Sequence, residues 1–189
     1  MMVSYSFLVV SVAFAHYICS NYSHNSTVDS DPDTTTQNKL INDQNLETGK
    51  NFKYGNYDVA WNGCEAIAVH NAAVLLGKES SLSNTIMEFQ YCGAMIGDGY
   101  FGSNPYAIGN VLDEIGIPYV SVGLNEMTQK GTYIISYWTA GVLQSSIHTV
   151  TVVFDGSTYT TYNLHGLGEL HQGSPADYAS DYICGYRVG

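Results

Sequence analysis

Apolar positions fall into two kinds of run along this chain, helical up to about Gly116 and strand-like afterwards. From Gly63 to Leu76, Ile67, Ala68, Asn71, Val74 and Leu75 fall on one side of a helix, and Ala66, Val69, Ala73 and Leu76 cover much of the rest. A helix that is apolar around its whole circumference is a buried one, and Gly77 is the expected left-handed terminator. A second helix is predicted over 84–91, with Ile86, Met87 and Phe89 apolar. The third is well punctuated: Asn104 as cap, Pro105 in the first position, Gly116 at the end, and Ile108, Val111, Leu112 and Ile115 as the inner stripe. Four strand-like runs follow, at 119–122, 132–138, 148–154 and 158–164, and a last run at 182–188 reads as an edge strand. Helices first and strands after is the α+β layout, with an antiparallel sheet packed against the first helix. No internal repeat is visible.

The segment before this domain has a different character. Residues 7–15 are apolar and end in Ala-x-Ala before His16, which reads as a signal peptide over 1–15, although no Lys or Arg precedes the apolar run. An uncleaved short anchor is the alternative, and Cys19 raises a lipoprotein reading that Tyr17-Ile18 fits poorly. Residues 16–50 are polar and acidic, so they read as a disordered spacer or a short propeptide, leaving 51–189 as the folded domain. Asn21 and Asn25 open N-glycosylation patterns, which matter only in a eukaryotic secretory pathway. The expected location is therefore secreted or extracytoplasmic, with no stable membrane insertion once the signal is removed.

Charge narrows the partners. The 189 residues carry six Lys and Arg against 17 Asp and Glu, a formal net charge of −11. No nucleic-acid footprint is present, and attachment to anionic lipid is disfavoured. The glycine-rich 97–103 lacks the Lys and the preceding strand of a nucleotide site. His165, Glu169 and His171 match no metal-binding helix face and read as an exposed loop, and His70 reads as a packed helix histidine; no cofactor and no metal are expected.

The candidate chemistry lies at the start of the first helix. Asn62 has the character of an N-cap, and Glu65, three residues on, completes a capping-box-like pattern. Cys64 would then sit in the first turn, where free N–H groups and the helix dipole favour a thiolate. Such a Cys is a candidate nucleophile if a base is at hand. The base is sought in 148–164, where two β-rich runs flank Asp155-Gly156, a hairpin signal. With these two as the loop, His148 opposes Asn163, their Cβ atoms about 4.5–5.5 Å apart. The Asn163 side chain then orients the imidazole, the task of the third member of nucleophile–base–orienter sites. If Gly156-Ser157 is the loop instead, His148 opposes His165. Cys64 reads as a free thiol; a disulfide such as Cys92–Cys184, or one consuming Cys64, is the alternative in an exported chain.

The order Cys64, His148, Asn163 resembles the papain-like cysteine peptidases, and the short domain with a simple His–Asn hairpin resembles their C39-like (bacteriocin-leader-peptidase-like) branch, over roughly residues 51–189. The resemblance implies a papain-like α+β fold with the nucleophile helix central, Cys64 as nucleophile, His148 as general base and acid, and Asn163 as orienter. It also implies an exported peptidase or amidase that cleaves a peptide or protein substrate through a thioester. Two positions depart from the pattern. Asp58 stands where these families usually carry an oxyanion-binding Gln, and Glu65 stands where the C39 branch commonly has Gly. Asn56 and Asn62 are the nearby amides that could replace the Gln, beside the Cys64 backbone N–H. Asp58 reads equally as a helix-entry carboxylate. Trp61 and Trp138 could wall a substrate cleft or pack in the core. Alternative functions are a papain-like binding domain with a decayed site, or a peptidoglycan amidase, although Gly63 replaces the Asp expected before Cys in that group.

Overall fold

The structure is a computed structural model that describes residues 36–45, 52–139, 146–164 and 170–189. A small hairpin of β1 (Lys53–Tyr54) and β2 (Tyr57–Asp58) leads into the short helix α1 (Val59–Asn62). The helices α2 (Cys64–Leu75), α3 (Leu82–Tyr91) and α4 (Ile108–Glu114) follow, α4 entered through a 3-10 turn at Pro105–Ala107. The strands are β3 (Tyr119–Ser121), β4 (Gly131–Thr139), β5 (Ser146–Phe154), β6 (Tyr159–Tyr162), β7 (His171–Gln172) and β8 (Tyr182–Val188). Strands β3 to β8 form one antiparallel sheet in the order β3-β8-β4-β5-β6-β7. This is the expected α+β architecture, with the Cys64 helix packed on a C-terminal antiparallel sheet.

Two apolar layers hold the sheet. Successive strand residues point to opposite faces, so Ile134 faces the helices while Tyr133 and Ile135 face away. On the helix side, Ile67, Ala68, Val69 and Ala72 of α2 pack among Leu82, Phe89, Ile108, Val111 and Leu112. Every α2 residue from Cys64 to Ala73 is buried, in keeping with its apolar circumference. Thr151 of β5 donates from Oγ1 to the Ala68 carbonyl at 3.0 Å, tying α2 to the sheet. On the other face Val150, Val152, Tyr133, Ile135 and Tyr137 pack against Met127 and Ala179 from the connecting segments.

The punctuation residues act as their chemistry dictates. Gly77 and Gly116 have φ of 72° and 67°, and Asn104 accepts the Tyr106 N–H through Oδ1 at 3.1 Å. Three features differ from the sequence reading. First, 182–188 is not an edge strand: β8 lies between β3 and β4 and pairs on both sides. Second, Asn62 does not cap α2, because the chain before Cys64 is already coiled into α1. Gly63 closes α1, donating to the Val59 carbonyl at 2.8 Å, and opens α2 with no side-chain cap. Third, the disordered spacer does not extend through 36–45. Thr36, Ile41 and Asp43 are buried. The Asn71 side chain accepts the Ile41 N–H at 2.8 Å and donates to the Ile41 carbonyl at 2.8 Å, as a strand neighbour would. His70, fully buried, contacts Ser80 Oγ at 2.9 Å and the Lys39 carbonyl at 2.8 Å. The low hydrophobicity of 36–45 hides an ordered segment held by polar groups of α2. The expected signal peptide, and the rest of the spacer, lie outside the described residues.

Candidate active site

Cys64, His148 and Asn163, far apart in sequence, line one cavity of about 650 Å³ between α2, β5 and the 36–45 segment. The Cys64 thiol is free and buried. Its sulfur lies 4.0 Å from the Ile147 carbonyl, so it abuts β5 beside His148. Cys92 and Cys184 are not joined, so the alternative of a disulfide between them does not hold; Cys19 lies outside the described residues.

The His148–Asn163 relationship differs from the expected one in register. Phe154 pairs with Tyr159, not Ser157, and Thr151 pairs with Tyr162. Asp155 N–H donates to the Thr158 carbonyl at 3.2 Å, which makes Gly156-Ser157 the turn centre. The Asp155 side chain accounts for this: its Oδ1 accepts the N–H groups of Ser157 and Thr158 at 2.7 and 2.8 Å, an Asx-type turn that outweighs the Asp-Gly preference. The regular ladder ends at Tyr162, and Asn163 turns off it with φ of 61°. That turn brings the Asn163 main-chain carbonyl to 2.7 Å from His148 Nε2. A carbonyl only accepts, so Nε2 carries a proton and Nδ1 is the basic nitrogen of the neutral ring. Tyr137, the cross-strand partner of His148, packs edge-on to the imidazole, with ring centroids 6.0 Å apart at 87°.

The Asn163 carboxamide is engaged elsewhere. Its Oδ1 accepts the Gln44 N–H at 2.9 Å and its Nδ2 donates to Gln44 Oε1 at 3.1 Å. Gln44 Nε2 in turn donates to the Ala60 carbonyl at 2.9 Å. Gln44 thus joins the β5–β6 end of the cavity to α1, and Asp43 and Asn45 line the same wall. Sequence reasoning missed this amide because it lies in the stretch that reads as a spacer, a polar run with no apolar period.

The two oxyanion candidates are not available in the way expected. Asn56 is exposed in the β1–β2 turn, where its N–H donates to the Asp98 carbonyl at 2.9 Å, and it does not line the cavity. Asn62 lines the cavity, but its side-chain N–H groups donate to the carbonyls of Gly99 and Tyr100 at 2.7 and 2.8 Å. It anchors the glycine-rich loop. Asp58 is clear of the cavity, paired with Lys53 at 2.5 Å at the entry to α1. Trp61 and Trp138 line the cavity mouth, 66% and 47% exposed, so neither is a core residue. Ile96, Tyr100 and Phe101 add to this apolar rim. Tyr100 and Phe101 come from the loop that Asn62 holds.

Electrostatics at the sulfur run against the helix-start expectation. Burial pushes the Cys64 thiol well up, and the neighbouring Glu65 carboxylate adds to the rise; the N–H groups of Thr149 and Glu65 act in the opposite direction. Glu65 is not a capping residue. It is buried, with Oε2 accepting from the Cys64 thiol at 3.3 Å, and burial pushes its own carboxyl up to about 7. Of the weighed metal group, His171 belongs to β7 rather than to a loop, while His165 and Glu169 lie outside the described residues.

The same arrangement of helices and sheet occurs in a known peptidase domain. The fold is similar to that of the peptidase domain of Streptococcus ComA, a bifunctional ABC transporter involved in quorum sensing. The similarity has a TM-score of 0.50 at 11% sequence identity, and it covers 67% of this chain and 90% of that domain. No family model and no curated protein matches the sequence. Among the described residues no helix is long and apolar enough to cross a membrane.

Proposed function

We propose that the protein is a cysteine peptidase or amidase of the papain-like, C39-like type, exported from the cell and acting on a peptide or protein substrate. The observation that carries this reading is the convergence of a free thiol at the start of a buried helix and a tautomer-fixed histidine on one solvent-open cavity. The fold shared with a peptidase domain supports it. In the proposed reaction His148 Nδ1 takes the thiol proton and Cys64 sulfur attacks the amide carbonyl. The Cys64 backbone N–H in the first turn of α2 donates to the oxyanion. His148 returns the proton to the leaving amine, and water, deprotonated by His148, hydrolyses the thioester. Asn163 holds the ring through its carbonyl, and the aromatic rim takes the substrate side chains.

A second reading, a papain-like binding domain that has lost catalysis, is favoured by one observation: the side-chain N–H groups of Asn62 are committed to loop carbonyls. A mixed peptide library separates the two. Cleavage that disappears in Cys64→Ala supports the peptidase. Binding without cleavage by well-folded protein supports the second reading. Purified cell wall in a parallel assay tests whether the amide cleaved is in peptidoglycan.

A further inference from the structure

Glu65 is a buried carboxyl in contact with the candidate nucleophile, and the reaction outlined above does not use it. Its Oε2 lies 3.3 Å from Cys64 Sγ and both residues are at most 5% exposed. A buried carboxylate is ordinarily paired with a cation, yet among the described residues Glu65 forms no salt bridge. The titratable groups around it are Tyr54 of β1, Cys64 on α2 itself, Cys184 of β8 and, on β5 beyond the sulfur, His148. Tyr54 is itself bonded to Ser103 and does not neutralise it. The acid therefore sits with the thiol as its side-chain partner.

A carboxyl in this position has opposite effects in its two forms. Ionised, it can only accept, so it holds the proton on sulfur and its charge opposes a thiolate. Protonated, it becomes an O–H donor to sulfur and the opposing charge is gone. We propose that Glu65 is a positioning residue that sets the protonation of Cys64, holding the thiol neutral when ionised and favouring the thiolate, with its proton passed to His148, when it has itself taken up a proton. The nucleophile is then tuned toward the acidic side of neutrality. The inference rests on the peptidase reading for its biological use, but thiol chemistry tests it separately.

The test is the rate of Cys64 alkylation by iodoacetamide between pH 5 and 9, mapped by peptide mass, with Cys92 as the internal reference. Glu65→Gln keeps the side-chain shape and removes the charge. The expected result is an alkylation rate at pH 7.5 raised about tenfold or more, one pKa unit or more in the thiol, with little change at pH 5. An unchanged Cys64 profile overturns the proposal. Should Glu65→Gln fail to fold, the coupling is read in reverse: infrared titration of the Glu65 carboxyl in Cys64→Ala has its midpoint moved upward, because the bond that stabilises the carboxylate is lost. A midpoint that stays in place overturns the proposal equally. Altered alkylation in a protein that cleaves no peptide sinks the peptidase reading alone, whereas cleavage with an unaltered profile sinks the role of Glu65 alone.

Discussion

His148 donates from Nε2 to the main-chain carbonyl of Asn163 at 2.7 Å, while the Asn163 carboxamide is clasped by Gln44. The orienting group is therefore backbone, and what residue 163 must supply is a positive φ. Asn tolerates that conformation and Gly adopts it freely. Asn163→Gly should keep the His148 tautomer, with activity reduced less than about tenfold, against the roughly 10²–10⁴-fold typical of lost proton-transfer geometry. Asn163→Val should be destabilised by about 1–2 kcal/mol, the cost of the left-handed region for a substituted Cα. Nitrogen-15 spectra of the imidazole and peptide-cleavage rates check both. A loss in Asn163→Gly as deep as in Cys64→Ala would show that the carboxamide is the working group.

The helical half of the fold was legible because its signals are local. Gly77, Asn104, Pro105 and Gly116 terminate or cap where their φ preferences and side chains dictate. The sheet was legible as strands but not as an order, since the apolar pattern of 182–188 suits an edge or an interior place equally and only pairing with both β3 and β4 decides it. At the site, Cys64, His148 and Asn163 line one cavity as the residue types suggested, but Asn163 had been reached through a pairing that the hairpin does not adopt. The register was not legible, because the Asp155 side chain bonds within the turn and moves the ladder by one residue on each strand. Gln44 was missed and Glu65 was read as a cap for a common reason: the partner of a polar side chain leaves no mark in the apolar periodicity.

The 36–45 segment is joined to α2 by Asn71, whose amide stands in for a neighbouring strand at Ile41. Asn71→Leu should leave two buried main-chain groups without partners, at about 1–3 kcal/mol for each. Amide exchange over 38–45 should quicken well before that of α2 itself. Hydrogen exchange read by mass spectrometry checks this, and protection that is unchanged in the variant would mean the segment is held by other contacts.

Gly63 is needed for space and not for its φ, which is −96°. A Cβ there would lie 2.5 Å from Val59 Cγ1 and 2.9 Å from the Val59 carbonyl oxygen. The first neighbour is a side chain that can give way, but the second is backbone, so α1 must move. Gly63→Ala should therefore destabilise the domain by about 1–3 kcal/mol, the usual cost of overpacking. It should also shift Cys64 against β5, lowering thiol reactivity further than stability alone accounts for. Urea titration and alkylation rates, measured on the same samples, separate the two effects.

The carboxyl of Glu65 also ties stability to pH. Burial raises it in the folded chain from 4.5 to about 7. A carboxyl raised on folding contributes stability that is fully present below its unfolded value and is lost as pH rises through the folded one. The folded domain should therefore weaken between about pH 4.5 and 7 by an amount that this one group sets, on the order of 3 kcal/mol by the usual conversion. Glu65→Gln carries no such charge. Its stability relative to the parent should be near zero at pH 4.5 and should grow to a gain on the order of 3 kcal/mol at pH 8. Paired urea titrations at the two pH values read the difference and cancel every other titrating group. A pH-independent difference between the two proteins would mean that Glu65 keeps an ordinary carboxylate in the fold, with a cation or water reaching it behind α2.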